Sequence, residues 1–177
     1  MIFLINALLS LQIFSMNLSH KESSVTLFDF SENSDIKNWR IINDDVMGGI
    51  SSATFNLSTE GHGLFQGKVS TENNGGFASV RFTMNKIKCE NHNMVRIILK
   101  GDGKNYQFRI KNNNSEYFSY VTTFSTNGEW QTIDLKLKDF YPSFRGRKLD
   151  IPNFNKKTIE QISILIANKK KESFSLE

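Results

Sequence analysis

From Val25 onward, apolar residues recur at every second position rather than every third or fourth. Ala53, Phe55 and Leu57 alternate with Thr54, Asn56 and Ser58, and Ala78, Val80, Phe82 and Met84 alternate with Ser79, Arg81 and Thr83. The same rhythm runs through Val95, Ile97 and Leu99, through Tyr106, Phe108 and Ile110, through Ile133, Leu135 and Leu137, and through Ile162, Ile164 and Ile166. Phe65 and Val69 share a face across Gly67. A period of two buries one side of an extended segment and wets the other, which is the pattern of antiparallel sheet. Turn formers separate the runs: Gly61-His62-Gly63, Asn73-Asn74-Gly75-Gly76, Gly101-Asp102-Gly103, Asn112-Asn113-Asn114 and Asn127-Gly128. The pattern predicts an all-β fold of about ten short strands, an antiparallel β-sandwich or jelly roll. Helix is expected only as one or two short turns, over Ser31–Asn38 behind a Ser31 cap and over Asn155–Ile162 behind an Asn155 cap. Residues 25–177 read as a single domain without linker or repeat. The strand-like end at Phe174-Ser175-Leu176-Glu177 is expected to pair with a neighbouring strand.

Two double-glycine turns stand out, each leading into a strand. The first is Asn43-Asp44-Asp45-Val46-Met47-Gly48-Gly49 and the second is Asn73-Asn74-Gly75-Gly76. Glycine there permits positive φ or a close approach of backbone to another chain segment. Asp44 and Asp45 are adjacent, so on a strand they would point to opposite faces and could not act as an acid/base pair. In a turn they could converge on a hard cation, but no third acid follows at calcium-loop spacing. Capping of the turn by the Asn43, Asp44 and Asp45 side chains is the expected role. The second run could cradle an anion with successive N–H groups, yet it lacks the Lys and Ser/Thr of a phosphate loop. Both runs are therefore assigned to structural turns.

The 177 residues include 15 Phe, enough for a proper core. Lys and Arg exceed Asp and Glu by 22 to 18, a net charge of +4, spread without a dense basic stripe. A nucleic-acid surface is not expected from that distribution. A single cysteine, Cys89, excludes an internal disulfide. His20, His62 and His92 are scattered with no metal-ligand spacing, so neither a metal nor another cofactor is expected. The apolar run Met1–Ser15, interrupted by Asn6, Ser10 and Gln12, is short of spanning length and resembles the core of a signal peptide, although no Lys or Arg precedes it. Residues 1–20 are assigned to a signal peptide or apolar extension. Export, to a periplasm in a bacterium, is expected, with a cytoplasmic location if the start is misplaced. No integral membrane span remains after signal removal.

The polar faces of the middle strands hold the candidate binding chemistry. Arg81, Arg96, Gln107 and Arg109 fall on polar or mixed faces, and Tyr117 and Tyr120 border the same sheet on opposite faces. Guanidinium forks beside aromatic rings bind carboxylates, sugars or a protein partner. The stretch Asp139–Arg147 reads as a long aromatic and basic loop whose Tyr141, Phe144, Arg145 and Arg147 suit a docking hot spot. Trp39 and Trp130 are expected to anchor edges of the core.

Taken in order, Asn38-Trp39, Asn43–Ser51, Phe65–Arg81 with its Asn-Asn-Gly-Gly-Phe piece, Gly101-Asp102-Gly103, Tyr106–Arg109, Trp130-Gln131-Thr132 and Phe144-Arg145-Gly146 resemble the complex I intermediate-associated protein 30 family. The similarity covers roughly residues 25–177. It implies a galactose-binding-like β-sandwich, related in shape to carbohydrate-binding modules. It also implies the family's role as an assembly chaperone that holds a membrane-arm intermediate of respiratory complex I without chemistry of its own. The export-like N-terminus departs from the basic amphipathic leader of a mitochondrial protein. The expected function is a non-catalytic module that binds a protein partner as an assembly factor, with a carbohydrate-binding module of an exported protein as the alternative. Catalysis is not expected, for want of a credible nucleophile, acid pair or Gly-x-Gly-x-x-Gly after a strand.

Overall fold

Each alternating run becomes a strand in the computed structural model, which describes residues 24–177. Twelve strands form among them: β1 Trp39–Asn43, β2 Ser52–Leu57, β3 Gly63–Val69, β4 Ala78–Lys88, β5 Met94–Lys100, β6 Asn105–Lys111, β7 Ser119–Ser125, β8 Trp130–Lys136, β9 Tyr141–Phe144, β10 Arg147–Lys148, β11 Thr158–Ile166 and β12 Glu172–Leu176. The segment assigned to a signal peptide lies outside the described residues. No helix among the described residues is long and apolar enough to cross a membrane.

One layer is a seven-stranded antiparallel sheet in the order β1-β4-β11-β6-β7-β9-β10. The second holds β12-β3-β2 and the ribbon β5-β8. Reciprocal backbone hydrogen bonds between Lys100 and Glu177, at 2.7 and 2.8 Å, join those two pieces edge to edge. The expected pairing of the Phe174–Glu177 segment is therefore met twice, by β3 along β12 and by Lys100 at its end. The core lies between the layers. Phe65, Val80, Tyr106, Phe108, Ile110, Phe140, Ile159 and Ile166 are each almost wholly buried there, and each such side chain contributes about 1.5–3 kcal/mol by leaving water. At one end Trp39 stacks on Phe82 with centroids 4.9 Å apart, and Phe28, Phe30 and Phe55 complete an aromatic corner.

Three expectations are corrected. Residues 31–38 form two separate hydrogen-bonded turns, closed by the Ser34 N–H on the Ser31 carbonyl and by the Trp39 N–H on the Ile36 carbonyl, not a helical turn. The stretch 155–162 leads into central strand β11, because Thr158, Ile159, Ile162, Ile164 and Ile166 are β-branched and β4 and β6 supply hydrogen-bond partners on both sides. The helical turns are instead short 3₁₀ segments at Asp44–Met47, Glu72–Asn74 and Leu137–Asp139. Lastly, Asp139–Arg147 is no open loop. It runs from the third 3₁₀ turn into the β9–β10 hairpin, which extends the edge of the large sheet. Arg145 and Gly146 form the hairpin turn with φ of 49° and 77°, the signature of a type I′ turn.

Candidate binding face

The two glycine turns meet on one carboxylate. Asp44, 1% exposed, opens the 3₁₀ turn that follows β1. Its Oδ1 accepts the Ser51 N–H at 3.0 Å, while Oδ2 accepts the Ser51 hydroxyl at 2.5 Å and the N–H groups of Gly76 and Phe77 at 2.6 and 3.2 Å. Burial alone would raise this carboxyl, but the Ser51 hydroxyl and the N–H groups of Gly76, Ser51 and Phe77 together hold it below its ordinary value. Four donors saturate the carboxylate, so Asp44 is a structural clasp. Asp45, by contrast, is exposed. In each pair of glycines one is needed for its conformation and the other for space. Gly48 and Gly76 have φ of 85° and 138°, whereas a Cβ on Gly49 or Gly75 would lie 2.3 or 2.6 Å from an Asp44 oxygen. Asn73 and Asn74 sit at φ 54° and 60°, where Asn is tolerated better than most residues. Asn43 ends β1 opposite Ala78 rather than capping the turn with its side chain.

The clasp fixes the register of β1 on β4, and that register builds a row of residues across the open face of the large sheet. Arg40 lies opposite Arg81, Arg81 opposite Ser163, Ser163 opposite Arg109, Arg109 opposite Val121, and Val121 opposite Tyr141. Two residues along, Lys111 and Gln161 stand on the same face, as does Gln107 on the other side and Lys148 beside Ser143 at the edge. Arg81 and Arg109 flank a single strand, so their Cα atoms are roughly 10 Å apart. Among the described residues none of Arg40, Arg81, Arg109, Lys111 or Lys148 forms a salt bridge.

The electrostatics of this row are unfavourable as they stand. Burial lowers the Arg81 guanidinium below its ordinary value, and its Nε is enclosed without a hydrogen-bond partner. Arg109 is lowered first by burial and then by Arg81, with the Tyr141 phenol acting in the other direction. Its Nε and Nη2 are tied to Gln107 Oε1 at 3.0 and 2.6 Å, which holds the fork in place without neutralising it. Burial and Arg81 likewise lower Lys111, whose ammonium donates to the Glu116 carbonyl while the Glu116 charge works the other way. Like charges directly opposite across strands destabilise a sheet. An anion laid on the row would relieve that repulsion.

Of the residues singled out in the sequence, Arg81, Gln107, Arg109 and Tyr141 come together here. Arg96 does not: it lies on β5 in the other layer and grips Asp134 through two hydrogen bonds of 2.7 and 2.8 Å. Tyr120 points into the core, where its ring meets Phe118 and Phe154. Phe144, Arg145 and Arg147 sit at the hairpin tip, where Phe144 and Arg147, paired with each other, alternate onto the face opposite Tyr141 and so leave the row. Arg145 lies over the Phe144 ring at 5.3 Å, and that ring meets exposed Tyr117 at 5.2 Å. Trp39 does anchor the core edge, but Trp130 is 45% exposed and rests against His62. Arg40, Lys111, Lys148, Gln161 and Ser163 were not foreseen. Alternation of Arg40 with Trp39 and Ile41 marked it as outward-facing, but which strand lies beside which is not readable from period alone.

The lone cysteine is not equipped for chemistry. Cys89 is buried with its Sγ directed at the Lys156 carbonyl, and burial together with Glu90 pushes the thiol up, the reverse of a reactive thiolate. Asp102 is similarly committed to structure, accepting from Lys104, Tyr106 and the Ser175 N–H at 2.6, 2.8 and 2.9 Å.

The sequence model of the family described as Complex I intermediate-associated protein 30 (CIA30) matches residues 28–177. The chain belongs to that family. A curated relative, mitochondrial Complex I intermediate-associated protein 30 of Drosophila melanogaster, is 26% identical over 70% of this chain. The chain spans about half the length of that relative, 49%. Among solved structures, the fold is similar to the family 11 carbohydrate-binding module of the cellulosomal cellulase Lic26A-Cel5E of Clostridium thermocellum. The TM-score is 0.62 at 16% identity, covering 88% of this chain and 93% of that one. The Clostridium thermocellum family 11 module in complex with a β-1,3-1,4-mixed-linked tetrasaccharide is also similar, with a TM-score of 0.57 at 15% identity over 83% and 89% of the two chains. These likenesses establish the galactose-binding-like β-sandwich of this CIA30 domain.

Proposed function

We propose that this CIA30 domain is a non-catalytic binding module that holds an acidic segment of a protein partner on the open face of its seven-stranded sheet, in the manner of an assembly factor. The observation that carries the reading is the cation row: among the described residues, Arg40, Arg81, Arg109 and Lys111 share one face without a salt bridge, and Arg81 Nε is enclosed yet unpartnered. Paired guanidinium groups on a rigid sheet recognise carboxylates bidentately, and rigidity limits the ordering entropy lost on binding. Tyr141 at the edge supplies an aromatic anchor of the kind that interface hot spots favour. Family membership supports an assembly-related role, and complex I assembly is the specific form of it that the relative's name suggests.

A glycan platform is the weaker reading. Sugar faces stack on exposed rings, and the row bears one ring, Tyr141. Trp39 is packed in the aromatic corner and Trp130 lies on the other layer.

Calorimetric titration with a glutamate-rich peptide and, separately, with a mixed-linked tetrasaccharide decides between them. Peptide binding that weakens steeply with salt and is lost in Arg81→Met with Arg109→Met supports the proposal. Oligosaccharide binding insensitive to salt, with no peptide binding, overturns it.

A further inference from the structure

A second constellation lies on the opposite layer, away from the cation row. Glu60 and His62 are in the turn between β2 and β3, and Glu177 follows β12. His62 Nδ1 lies 3.1 Å from Glu177 Oε1 and 3.9 Å from Glu60 Oε2, and one donor atom from each of the three residues falls within 4.8 Å of the others. Ligand atoms at 2.0–2.2 Å from a tetrahedral zinc stand roughly 3.3–3.5 Å apart. These atoms therefore approach coordination spacing with shifts smaller than one rotamer change.

The backbones that present them are fixed. The Ser58 N–H donates to the His62 carbonyl at 2.8 Å, the His62 N–H donates to the Ser58 hydroxyl at 3.1 Å, and Gly61 closes the turn at φ 83°. Glu177 is held through both its N–H and its carbonyl by Lys100. The Trp130 ring meets the His62 ring edge-on, with centroids 4.8 Å apart, and restricts its rotation.

The charge balance adds a second argument. Two carboxylates converge on one imidazole nitrogen, which can carry at most one proton between them. Among the described residues neither Glu60 nor Glu177 has a salt bridge to Lys or Arg. A divalent cation would satisfy all three groups at once. One imidazole and two carboxylates form a mixed nitrogen/oxygen set that suits zinc-class ions better than calcium, which takes oxygen ligands in greater number.

We infer that Glu60, His62 and Glu177 form a binding site for a divalent transition metal of the zinc class, which staples the β2–β3 turn to the end of β12. Water completes the coordination, so the site has three protein ligands and is open on its solvent side.

The test uses the full 177-residue chain stripped of metal. Calorimetry with Zn²⁺ is expected to give one equivalent, lost in His62→Gln and weakened about tenfold or more in Glu60→Gln. Glu60 is an exposed turn residue, so that variant folds. Ni²⁺, which quenches indole emission only at short range, is expected to quench wild type, whereas Trp130→Phe keeps the calorimetric equivalent and loses the quenching. Absence of a stoichiometric heat overturns the inference. So does an undiminished equivalent in His62→Gln, which would place the metal on other side chains such as His20 or His92.

Discussion

Asp44 Oδ2 accepts the N–H of Gly76 at 2.6 Å, joining positions 32 residues apart in the chain. That bond, with those from Ser51 and Phe77, sets the corner from which β2 and β4 depart. Replacing Asp44 with Asn keeps the shape but turns an amide donor toward other donors. A buried donor without an acceptor costs about 1–3 kcal/mol. Asp44→Asn is therefore expected to lower unfolding free energy by roughly 2–3 kcal/mol in urea titrations at neutral pH.

The same clasp makes stability depend on acid. The folded carboxyl of Asp44 lies below its unfolded value, and Asp102 shifts in the same direction because its bonds from Lys104, Tyr106 and Ser175 outweigh burial. A lowered folded pKa gives stability that is complete above the unfolded value, near 4, and is lost as pH falls from there through the folded value. Wild type should lose stability steeply below about pH 4, and Asp44→Asn should show a shallower loss over that window. Urea midpoints at pH 7, 4 and 3 measure both slopes. Equal slopes would mean that Asp44 is not a clasp.

The glycines should separate by mechanism. Gly49→Ala and Gly75→Ala press a methyl group against the Asp44 carboxylate and are expected to cost about 2–3 kcal/mol. Gly48 has open space around it, so Gly48→Ala meets only the left-handed backbone penalty of about 1–2 kcal/mol. In an Asp44→Ala background the Gly75→Ala penalty should shrink, since much of the clash is with that carboxylate. A double-mutant cycle in denaturant reads the coupling.

Arg81→Met retains the aliphatic stem while removing one of two opposed cations. Stability is expected to hold or to rise by up to about 1 kcal/mol at low salt, because repulsion from Arg40 and Arg109 is relieved. Thermal melts at low and high salt measure it. A clear loss of stability would show that Arg81 serves the fold rather than a partner.

At the hairpin tip, Arg145 holds a positive φ that Asn tolerates better. Arg145→Asn followed by Gly146 gives the favoured type I′ pair and is expected to stabilise by about 0.5–1 kcal/mol. The same change removes the Arg145–Phe144 stack, and a thermal melt beside wild type reads the net gain.

Much of this architecture was legible in the chain. Alternation at Ala78–Met84 and Tyr106–Ile110 determined strands and their buried sides, because a period of two can satisfy one wet and one dry face only as sheet. The glycine pairs marked two corners, and the order of their flanking residues marked the family. Misreadings occurred where local and tertiary preferences diverge: residues 155–162 contain a plausible helix cap, yet Asn112, β4 and β6 offer hydrogen bonds that a helix would forgo. What only the folded chain decided is adjacency. Sequence period says which way Arg81 and Arg109 point but not that Ser163 alone lies between them, nor that Arg96 and Tyr120 leave the face, nor that Glu177 reaches His62. Those neighbours are set by long-range strand pairing, whose partners are chosen by the burial of a shared core rather than by any local code.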